Sequence, residues 1–455
     1  MLKLELVEAV LARALKGGAD FAEVYAQRAK KRRMKVRQGA LEEALSGLDY
    51  GAGVRLFFGT EVVYAYTNDL TQEGLMEALE TLLRAKGALG KVDEGGKGGL
   101  DFRKATPKGL HAPKVPYGEK DKRYRLERLL EAEAGARIAP AIKQEEVLVA
   151  NTEGVFAEEK RVRTRLFVLA VAQDGAEVQT GYSAPGKSVG LELFDLYPPK
   201  AVGEKAARQA LTNLKARPAP AGTFPVVVGP GFGGVLFHEA VGHLLETTSV
   251  ARKASVLADK LGEVVASPAV TYIDDGTLPH AWGSTEMDDE GRPTERTVLI
   301  EKGVLKSYMV DRLGHLLTGY PMTGSGRRQD YTFAPTSRMR NTFLAPGEAR
   351  VEDLFAGIAF GLYAKEMGGG QVKPGSGEYN FAVQEGYIIR KGRIEEPVRG
   401  AMLVGKGPET LMRVVAVAQD LENAPGMCGS LSGAVPVEVG QPHVLVSEIV
   451  VGGRA

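Results

Sequence analysis

Hydrophobic side chains recur every three or four residues in four stretches of the first half of the chain, a spacing that places them on one face of a helix. In the first stretch the apolar positions include Leu4, Val7 and Leu11, and the pattern stops at Gly17-Gly18. Glycines often follow the last residue of a helix. Helices are therefore predicted over residues 2–16, 70–86, 124–136 and 201–215.

Between these helices, short apolar runs are separated by turn residues, which is typical of strands. Gly59-Thr60 and Asp174-Gly175 each mark a hairpin turn, and Lys302-Gly303 and Lys391-Gly392 mark tight turns in the second half. Strands mostly follow one another directly, so antiparallel sheets and an α+β class are predicted. Shorter helices in the second half are predicted over residues 235–247, 351–362 and 408–420.

A segment rich in proline, alanine and glycine, residues 217–222, is the clearest division in the chain. We predict an N-terminal domain of mixed helix and sheet over residues 1–217. A strand-rich, mostly antiparallel C-terminal domain that carries the functional site is predicted over residues 222–455. Residues near 87–118 are rich in glycine, lysine and proline with little hydrophobic period, which predicts a long mobile connection.

Charge and composition exclude several classes of protein. The 455 residues include 58 basic and 57 acidic side chains, so no net field favours nucleic acid or an anionic membrane. One basic run, residues 30–37, alternates with Met34 and Val36 and is interpreted as the solvated face of an edge strand. No apolar stretch is long enough to predict a membrane span. The single cysteine excludes an intramolecular disulfide and predicts a cytoplasmic protein.

A strand-like segment leads into three glycines, Gly229, Gly231 and Gly234, with the spacing of a dinucleotide fingerprint. The expected acidic residue after a second strand is lacking, because Asp259 lies in a polar, helix-like stretch and no βαβ unit surrounds it. The glycines are interpreted instead as a tight entry to the next helix.

That helix contains two histidines and a carboxylate, His238, Glu239 and His243, a set that suits a hydrolytic zinc site. The histidines are five residues apart, and such positions diverge by about 140° on an α-helix. An i→i+5 turn or a break near Gly242 would bring them to a common point.

A third protein ligand would strengthen the pattern, and two candidates compete for it. Cys428 is remote in sequence but offers a thiolate, and glycines on both sides permit a sharply turned backbone. Glu246 is the nearest rival, three residues beyond His243. His443 is a reserve candidate because it lies close to Cys428 along the chain.

Taken together, these motifs resemble the TldD/PmbA family of metallopeptidases, and specifically its TldD branch, which keeps the His-Glu-x-x-x-His motif. The resemblance implies zinc held at His238, His243 and Cys428, with Glu239 as general base. It also implies cleavage of short or unfolded peptides inside a closed dimer, either a homodimer or a heterodimer with a sibling PmbA-type subunit. The carriers of the resemblance are His238-Glu239-Ala240-Val241-Gly242-His243 within 234–246, Asp288-Asp289-Glu290-Gly291, residues 296–305, Arg338-Met339-Arg340-Asn341-Thr342, Gly426-Met427-Cys428-Gly429 and Val435-Pro436-Val437.

One departure from the family concerns the residues after the cysteine. The family usually continues Cys-Gly-Lys-x-Gly-Gln, whereas here Ser430-Leu431-Ser432-Gly433 follow Gly429. The ligand position is intact, but any substrate contact made by the family's lysine and glutamine is not implied for this chain.

The predicted function is that of a zinc metallopeptidase with Glu239 as general base. Two alternatives remain: a non-catalytic scaffold subunit with a structural metal, and a metal-dependent hydrolase of small amides. Structural zinc sites usually carry two or more thiolates, so a single cysteine favours an open, catalytic site. Arg327, Arg328 and Arg338 are candidates to stabilise an oxyanion by charge alone.

Overall fold

The structure, a computed structural model, describes residues 1–87, 100–105, 107–132, 136–373 and 375–453. Of the predicted mobile connection near 87–118, residues 88–99 and 106 lie outside the described residues. Its described part carries a three-residue strand, Arg103–Ala105, that pairs in parallel with the segment beginning at Val155. His111, in the same part, is buried.

The N-terminal half forms an eight-stranded sheet with helices packed against it. The sheet has the order β3-β2-β1-β5-β6-β4, and β7 and β8 pair with β6. Its elements are α1 (Leu4–Lys16), β1 (Phe21–Arg37), β2 (Ala40–Phe58), β3 (Glu61–Thr67), α2 (Gln72–Ala85), β4 (Arg103–Ala105), α3 (Lys122–Glu131), β5 (Ala136–Asn151), β6 (Val155–Asp174), β7 (Glu177–Ser183), β8 (Gly186–Lys187), α4 (Leu193–Leu196) and α5 (Pro199–Lys215).

The basic run of residues 30–37 lies in the far half of β1. The interpretation that this strand is an edge is wrong, because β1 pairs with β2 on one side and β5 on the other. Its basic side chains do reach solvent, and several form ion pairs with β2, such as Lys31 with Asp49. The alternation of charged and apolar residues therefore indicates that one face of the strand is solvated. It does not indicate whether the strand lies at the edge of the sheet.

The C-terminal half is dominated by two further sheets and a short hairpin. Its elements are β9 (Arg217–Pro218), β10 (Gly222–Val228), α6 (Val235–Ala240), α7 (Thr247–Val250), β11 (Tyr272–Asp275), β12 (Arg296–Glu301), β13 (Val304–Leu305), α8 (Arg312–Thr318), β14 (Gly326–Arg327), β15 (Thr336–Ser337), β16 (Asn341–Leu344), α9 (Val351–Ala356), β17 (Phe360–Lys373), β18 (Glu378–Arg390), β19 (Arg393–Arg399), β20 (Met402–Lys406), α10 (Gly407–Met412), β21 (Val414–Val417), β22 (Glu422–Ser430), β23 (Gly433–Gln441) and β24 (Val444–Gly452).

The first of these sheets has the order β17-β10-β24-β20-β18-β19-β9, and an additional pairing of β17 with β18 closes five strands into a ring. The second has the order β13-β12-β11-β16-β23-β22, with β22 at its edge. Most neighbours in both sheets are antiparallel; the exceptions are β10 with β17, β19 with β9, and β16 with β23. The predicted α+β class, with a strand-rich and mostly antiparallel C-terminal half, is confirmed.

Two helices predicted in this half are shorter than expected. The first ends at Ala356, and β17 begins at Phe360; the second ends at Met412, and β21 begins at Val414. In both cases pairing with distant strands overrides the local helical pattern. Residues 414–417, for example, pair with β24 inside the core. Likewise residues 251–262, interpreted as helix-like, form turns.

Buried ion pairs join the two halves. Arg55 on β2 is 1% exposed and binds both Glu23 on β1 and Glu290, at 2.8 and 2.7 Å. Arg328 also binds Glu23, at 2.6 Å. Farther along the same contact, Arg161 on β6 binds Asp289 at 2.7 Å. No helix in the part of the chain that the structure describes is long and apolar enough to cross a membrane.

Candidate metal centre

Three glycines bring the chain from β10 into α6 through a single turn of 3-10 helix, Gly231–Gly234. A Cβ on Gly229 would lie 2.2 Å from the Lys365 carbonyl oxygen, and one on Gly234 would lie 2.6 Å from that of Gly440. Gly231 has φ +65°, a region that favours glycine. The fingerprint-like spacing is thus explained by close backbone packing at the entry to α6.

The helix that carries the histidines breaks between them. α6 ends at Ala240, Val241 has φ −130° and ψ −48°, and a 3-10 turn, Gly242–Leu245, follows. Gly242 lies against the Met339 side chain, where a Cβ would approach the sulfur to 2.1 Å. The predicted distortion is therefore a break at Val241-Gly242, and no i→i+5 turn is needed. As a result the imidazole rings of His238 and His243 lie side by side in a T-shaped arrangement, with centroids 5.6 Å apart and an interplanar angle of 81°.

The hairpin of β22 and β23 delivers the cysteine to the same point. Cys428 pairs with Val435 in the ladder, and its side chain is 2% exposed. Its Sγ lies 3.1 Å from Nε2 of His243. Ligand atoms of His238, Glu239, His243 and Cys428 all lie within 4.8 Å of one another, although 185 residues separate His243 from Cys428.

The donor set fits a metal ion. His238 is 1% exposed, and its Nδ1 contacts the Thr342 hydroxyl at 2.8 Å. Its other ring nitrogen, Nε2, is buried and has no hydrogen-bond partner in the described structure. A buried, unpaired imidazole nitrogen beside a thiol and a second imidazole is costly without a ligand. Two nitrogens and one sulfur are a donor set that zinc accepts.

Glu246, the rival third ligand, lies behind His243 and outside this cluster. Its carboxylate accepts hydrogen bonds from Nδ1 of His243 at 2.9 Å and from the Met339 backbone at 3.2 Å. His443, the reserve candidate, lies elsewhere, where its ring binds Asp420 at 2.7 Å and the Tyr363 hydroxyl at 2.9 Å. The geometry therefore brings Cys428 to the histidines and does not bring Glu246 or His443.

Charges in the cluster favour a thiolate. Burial alone would raise the pKa of the Cys428 thiol, but the charges of His243 and His238 outweigh it and hold that pKa well below its usual value. Burial alone would lower the pKa of His243, yet Glu246 and Cys428 raise it well above its usual value. Both shifts reflect the mutual attraction of a thiolate and an imidazolium.

The three arginines proposed for an oxyanion are buried and donate to protein groups. Arg327 donates to the carbonyls of Met339 and Pro436, and Arg328 binds Glu23 and Asp289. Arg338 donates to the Cys428 carbonyl at 2.5 Å and to the Gly433 carbonyl at 2.9 Å. The contacts of Arg327 and Arg338 hold the hairpin that carries Cys428.

Sequence reasoning missed the residues that orient the two imidazoles. The sequence indicates no role for Thr342 beyond its place in the segment 338–342, and it suggests Glu246 only as a ligand. A signal was available for Glu246, because a carboxylate three residues after a histidine can reach its ring. No comparable signal exists for Thr342, which lies 104 residues from His238.

Comparison with known proteins covers almost the whole chain. Residues 22–86 match the model of the PmbA/TldA metallopeptidase domain 1, residues 114–214 match that of the central domain, and residues 221–453 match that of the C-terminal domain. The chain is 36% identical to a metalloprotease TldD homolog from Haemophilus influenzae, over 95% of this chain and 93% of that protein.

Two further comparisons bear on the metal and on the fold. A zinc metalloprotease TldD homolog from Saccharolobus solfataricus is 31% identical over 63% of this chain and 64% of its own length. The crystal structure of TldE from Thermococcus kodakarensis superposes with a TM-score of 0.78, covering 98% of this chain and all of that one, at 20% identity. That structure shares the fold.

Proposed function

Because this chain belongs to the PmbA/TldD family of metallopeptidases, we propose that it is a zinc peptidase in which His238, His243 and Cys428 hold the metal and Glu239 is the general base. The observation that carries the proposal is the buried, unpaired Nε2 of His238, which lies in one cluster with His243 and Cys428. Zinc is favoured over other metals by the thiolate donor and by the relative that is named a zinc metalloprotease.

The solvent exposure of each side chain suits the role proposed for it. A zinc ion in this site would polarise a peptide carbonyl and lower the pKa of water, which supplies a nucleophile near neutral pH. Glu239 is 27% exposed at its side chain, whereas His238 and Cys428 are 1% and 2% exposed. Its carboxylate can therefore reach solvent and substrate, accept a proton from water and pass it to the leaving amine.

The two alternative functions differ in their support. A structural zinc site would need further thiolates, and Cys428 is the only cysteine in the chain. A partly exposed carboxylate within the cluster, that of Glu239, also favours an open site over a closed one. A hydrolase of small amides would share the same metal and base, and differs only in the substrate that reaches them.

An edge strand beside the cluster favours extended peptides as substrates. The Pro436 carbonyl of β23 accepts from Arg327, so it is turned away from β22. Met427 lies opposite Pro436 in the antiparallel ladder, so its own N–H and C=O point outward from the sheet. Among the described residues no partner is recorded for these groups. An unfolded peptide could add a strand at this edge, next to Cys428.

A dimer is part of the proposal, either of two copies or with a PmbA-type sibling. Support comes from the outer half of β2, because β3 pairs with Ala52–Phe58, and among the described strands β1 alone pairs with residues 40–51. This edge exposes Leu41, Leu45 and Leu48 by 45, 58 and 51%. Apolar residues along an open strand edge are a ready pairing surface. A cytoplasmic location is proposed on the single free cysteine.

Metal analysis combined with a cleavage assay tests the function. We expect about one zinc per chain, cleavage of an unstructured peptide, and loss of cleavage when a chelator removes the metal. The same target protein should be spared when stably folded and cut when a mutation unfolds it. Absence of zinc together with absence of cleavage by the chain and its sibling subunit would contradict the proposal.

A further inference from the structure

A cleft of about 1070 Å³ lies between the two halves of the chain. One wall is formed by β6, β7 and α5, and the other by β17 and β18. Both segments that lead to the metal-binding side chains also line it. Residues 230–232 enter α6 with its histidine, and residues 422–425 open β22 with its cysteine. A peptide lying at the edge of β22 would therefore extend into this cleft.

Arg165 on β6 is an unneutralised cation at the floor of the cleft. Its guanidinium donates to the Pro425 carbonyl at 3.2 Å, and its Nε is buried with no partner in the described structure. Other cations of the cleft are paired, Lys187 with Glu438 at 2.9 Å and Lys205 with Glu366 at 2.8 Å. No such carboxylate faces Arg165 among the residues that the structure describes.

An anion would stabilise this partly buried cation. The Arg165 guanidinium lies over the Trp282 ring at 5.7 Å and donates to the Pro425 carbonyl, and burial lowers its pKa. A guanidinium offers five N–H donors in a planar fork that suits a carboxylate. Arg165 uses one of its terminal nitrogens for Pro425, and its Nε is buried, so the other terminal nitrogen is the group that can bind a ligand in the cleft.

Arg165 meets β22 at Pro425, and this contact places it relative to the metal centre. Pro425 has the same orientation in β22 as Met427, two residues on, so its carbonyl also points outward from the sheet edge. Arg165 covers that carbonyl and closes the edge at this point. Pro425 is three residues from Cys428, which is about 10 Å along a strand.

We propose that Arg165 binds a carboxylate of the peptide substrate about three residues from the bond that is cleaved, and so determines specificity. The inference rests on the proposed peptidase function. A strand added along β22 would run from the metal centre to Arg165 and meet the guanidinium where the free edge ends. The carboxylate could be the C-terminus of the peptide or an acidic side chain, since both present the same two oxygens.

Matched peptides test the inference on the zinc-loaded protein. A series with the same sequence would end in a free acid or an amide, and a second series would move one Glu, or its Gln counterpart, along an amidated peptide. We expect kcat/KM to fall about tenfold or more when the carboxylate is removed, the usual effect of losing one charge-assisted hydrogen bond. Sensitivity to amidation identifies the C-terminus, and sensitivity to one Glu position identifies a side chain.

Two variants connect this preference to Arg165. Arg165→Leu should abolish the difference between the acid and the amide. Arg208→Leu should keep it, because Arg208 lines the same cleft but is 70% exposed and lies near Glu204. If Arg165→Leu does not fold, as judged by its melting temperature, the peptide series on the parent protein still decides.

Failure of this inference can be distinguished from failure of the proposed function. If the parent protein cuts acid, amide and every Glu-containing peptide at equal rates, Arg165 is not a carboxylate site, although the peptidase function stands. If Arg165→Leu keeps a full preference for the acid, the preference comes from another residue and the inference is wrong. If the zinc-loaded protein cuts no peptide, either alone or with its sibling subunit, the function itself fails.

Discussion

The Glu246 carboxylate and Nδ1 of His243 lie 2.9 Å apart, so a carboxylate holds one edge of this imidazole. The other ring nitrogen, Nε2, points toward Cys428. His238 is held in the same sense, with the Thr342 hydroxyl on Nδ1, while its buried Nε2 has no hydrogen-bond partner among the residues that the structure describes. Carboxylate and hydroxyl partners of this kind orient metal-binding histidines and fix their tautomers. The centre is thus arranged so that both Nε2 atoms and the thiolate converge.

The first prediction separates the cysteine from the glutamate behind the histidine. Cys428→Ala should lose nearly all bound zinc, because it removes the thiolate from the cluster. Glu246→Gln should weaken zinc binding by about 10- to 100-fold without abolishing it, the usual effect of changing an orienting partner. Both can be measured by competition with a chelator of known affinity. A larger loss in Glu246→Gln than in Cys428→Ala would show that the third ligand is assigned wrongly.

The second prediction concerns the base. Glu239→Gln keeps the size of the side chain but cannot accept a proton at neutral pH, so the rate of peptide cleavage should fall by about 10²- to 10⁴-fold. Zinc content should stay close to that of the parent, because two imidazoles and the thiolate remain. The control is zinc measured on the same preparation used for kinetics. Full activity with metal bound would refute the assigned role.

The third prediction tests the edge of β22 as a binding strand. Met427→Pro removes an outward N–H, and an edge strand tolerates proline at such a position, as Pro425 already shows. We expect KM for unstructured peptides to rise several-fold while zinc content is unchanged. Met427→Ala removes the same side chain but keeps the N–H, and should bind peptides nearly as well as the parent. Equal effects of the two changes would assign the loss to the side chain.

The fourth prediction concerns stability at the contact between the two halves. Arg55→Leu would leave Glu23 and Glu290 buried with one cation fewer, and should lower the free energy of unfolding by about 3–5 kcal/mol. The exposed pair of Lys31 and Asp49 provides the control, since Lys31→Leu should cost less than about 1 kcal/mol. Urea denaturation measures both. Similar values for the two variants would show that burial does not strengthen the Arg55 contacts.

Sequence patterns predicted much of the fold because most of its helices and hairpins are locally encoded. The helix Leu4–Lys16 and the hairpin at Asp174-Gly175 follow from periodicity and turn residues alone. Residues 357–362 and 413–420 were predicted wrongly as helix, since their strands depend on partners far away in the chain. Local sequence could not reveal that β1 has neighbours on both sides, for the same reason.

Some features of the candidate site are likewise local in the sequence, whereas others depend on residues far apart in the chain. His238, Glu239 and His243 are adjacent in sequence, and their odd spacing correctly indicated a break in the helix. The meeting of His243 with Cys428 joins residues 185 apart and could be suggested only by the chemistry of a lone cysteine and by family resemblance. Thr342, the partner of His238, and Arg338, which binds the Cys428 carbonyl, could not be predicted as partners, because their contacts depend on β16 lying beside β23.

The buried charges between the two halves also limit how this gene could be divided. A fragment starting near residue 221 would carry Glu290 without its cation Arg55, whereas Asp289 would lose Arg161 but keep Arg328. Glu290 would then remain in the interior without its counter-charge or would have to become exposed to water. A chain recombined between the segments that the family models match would therefore need a cation in one segment for each such carboxylate in the other.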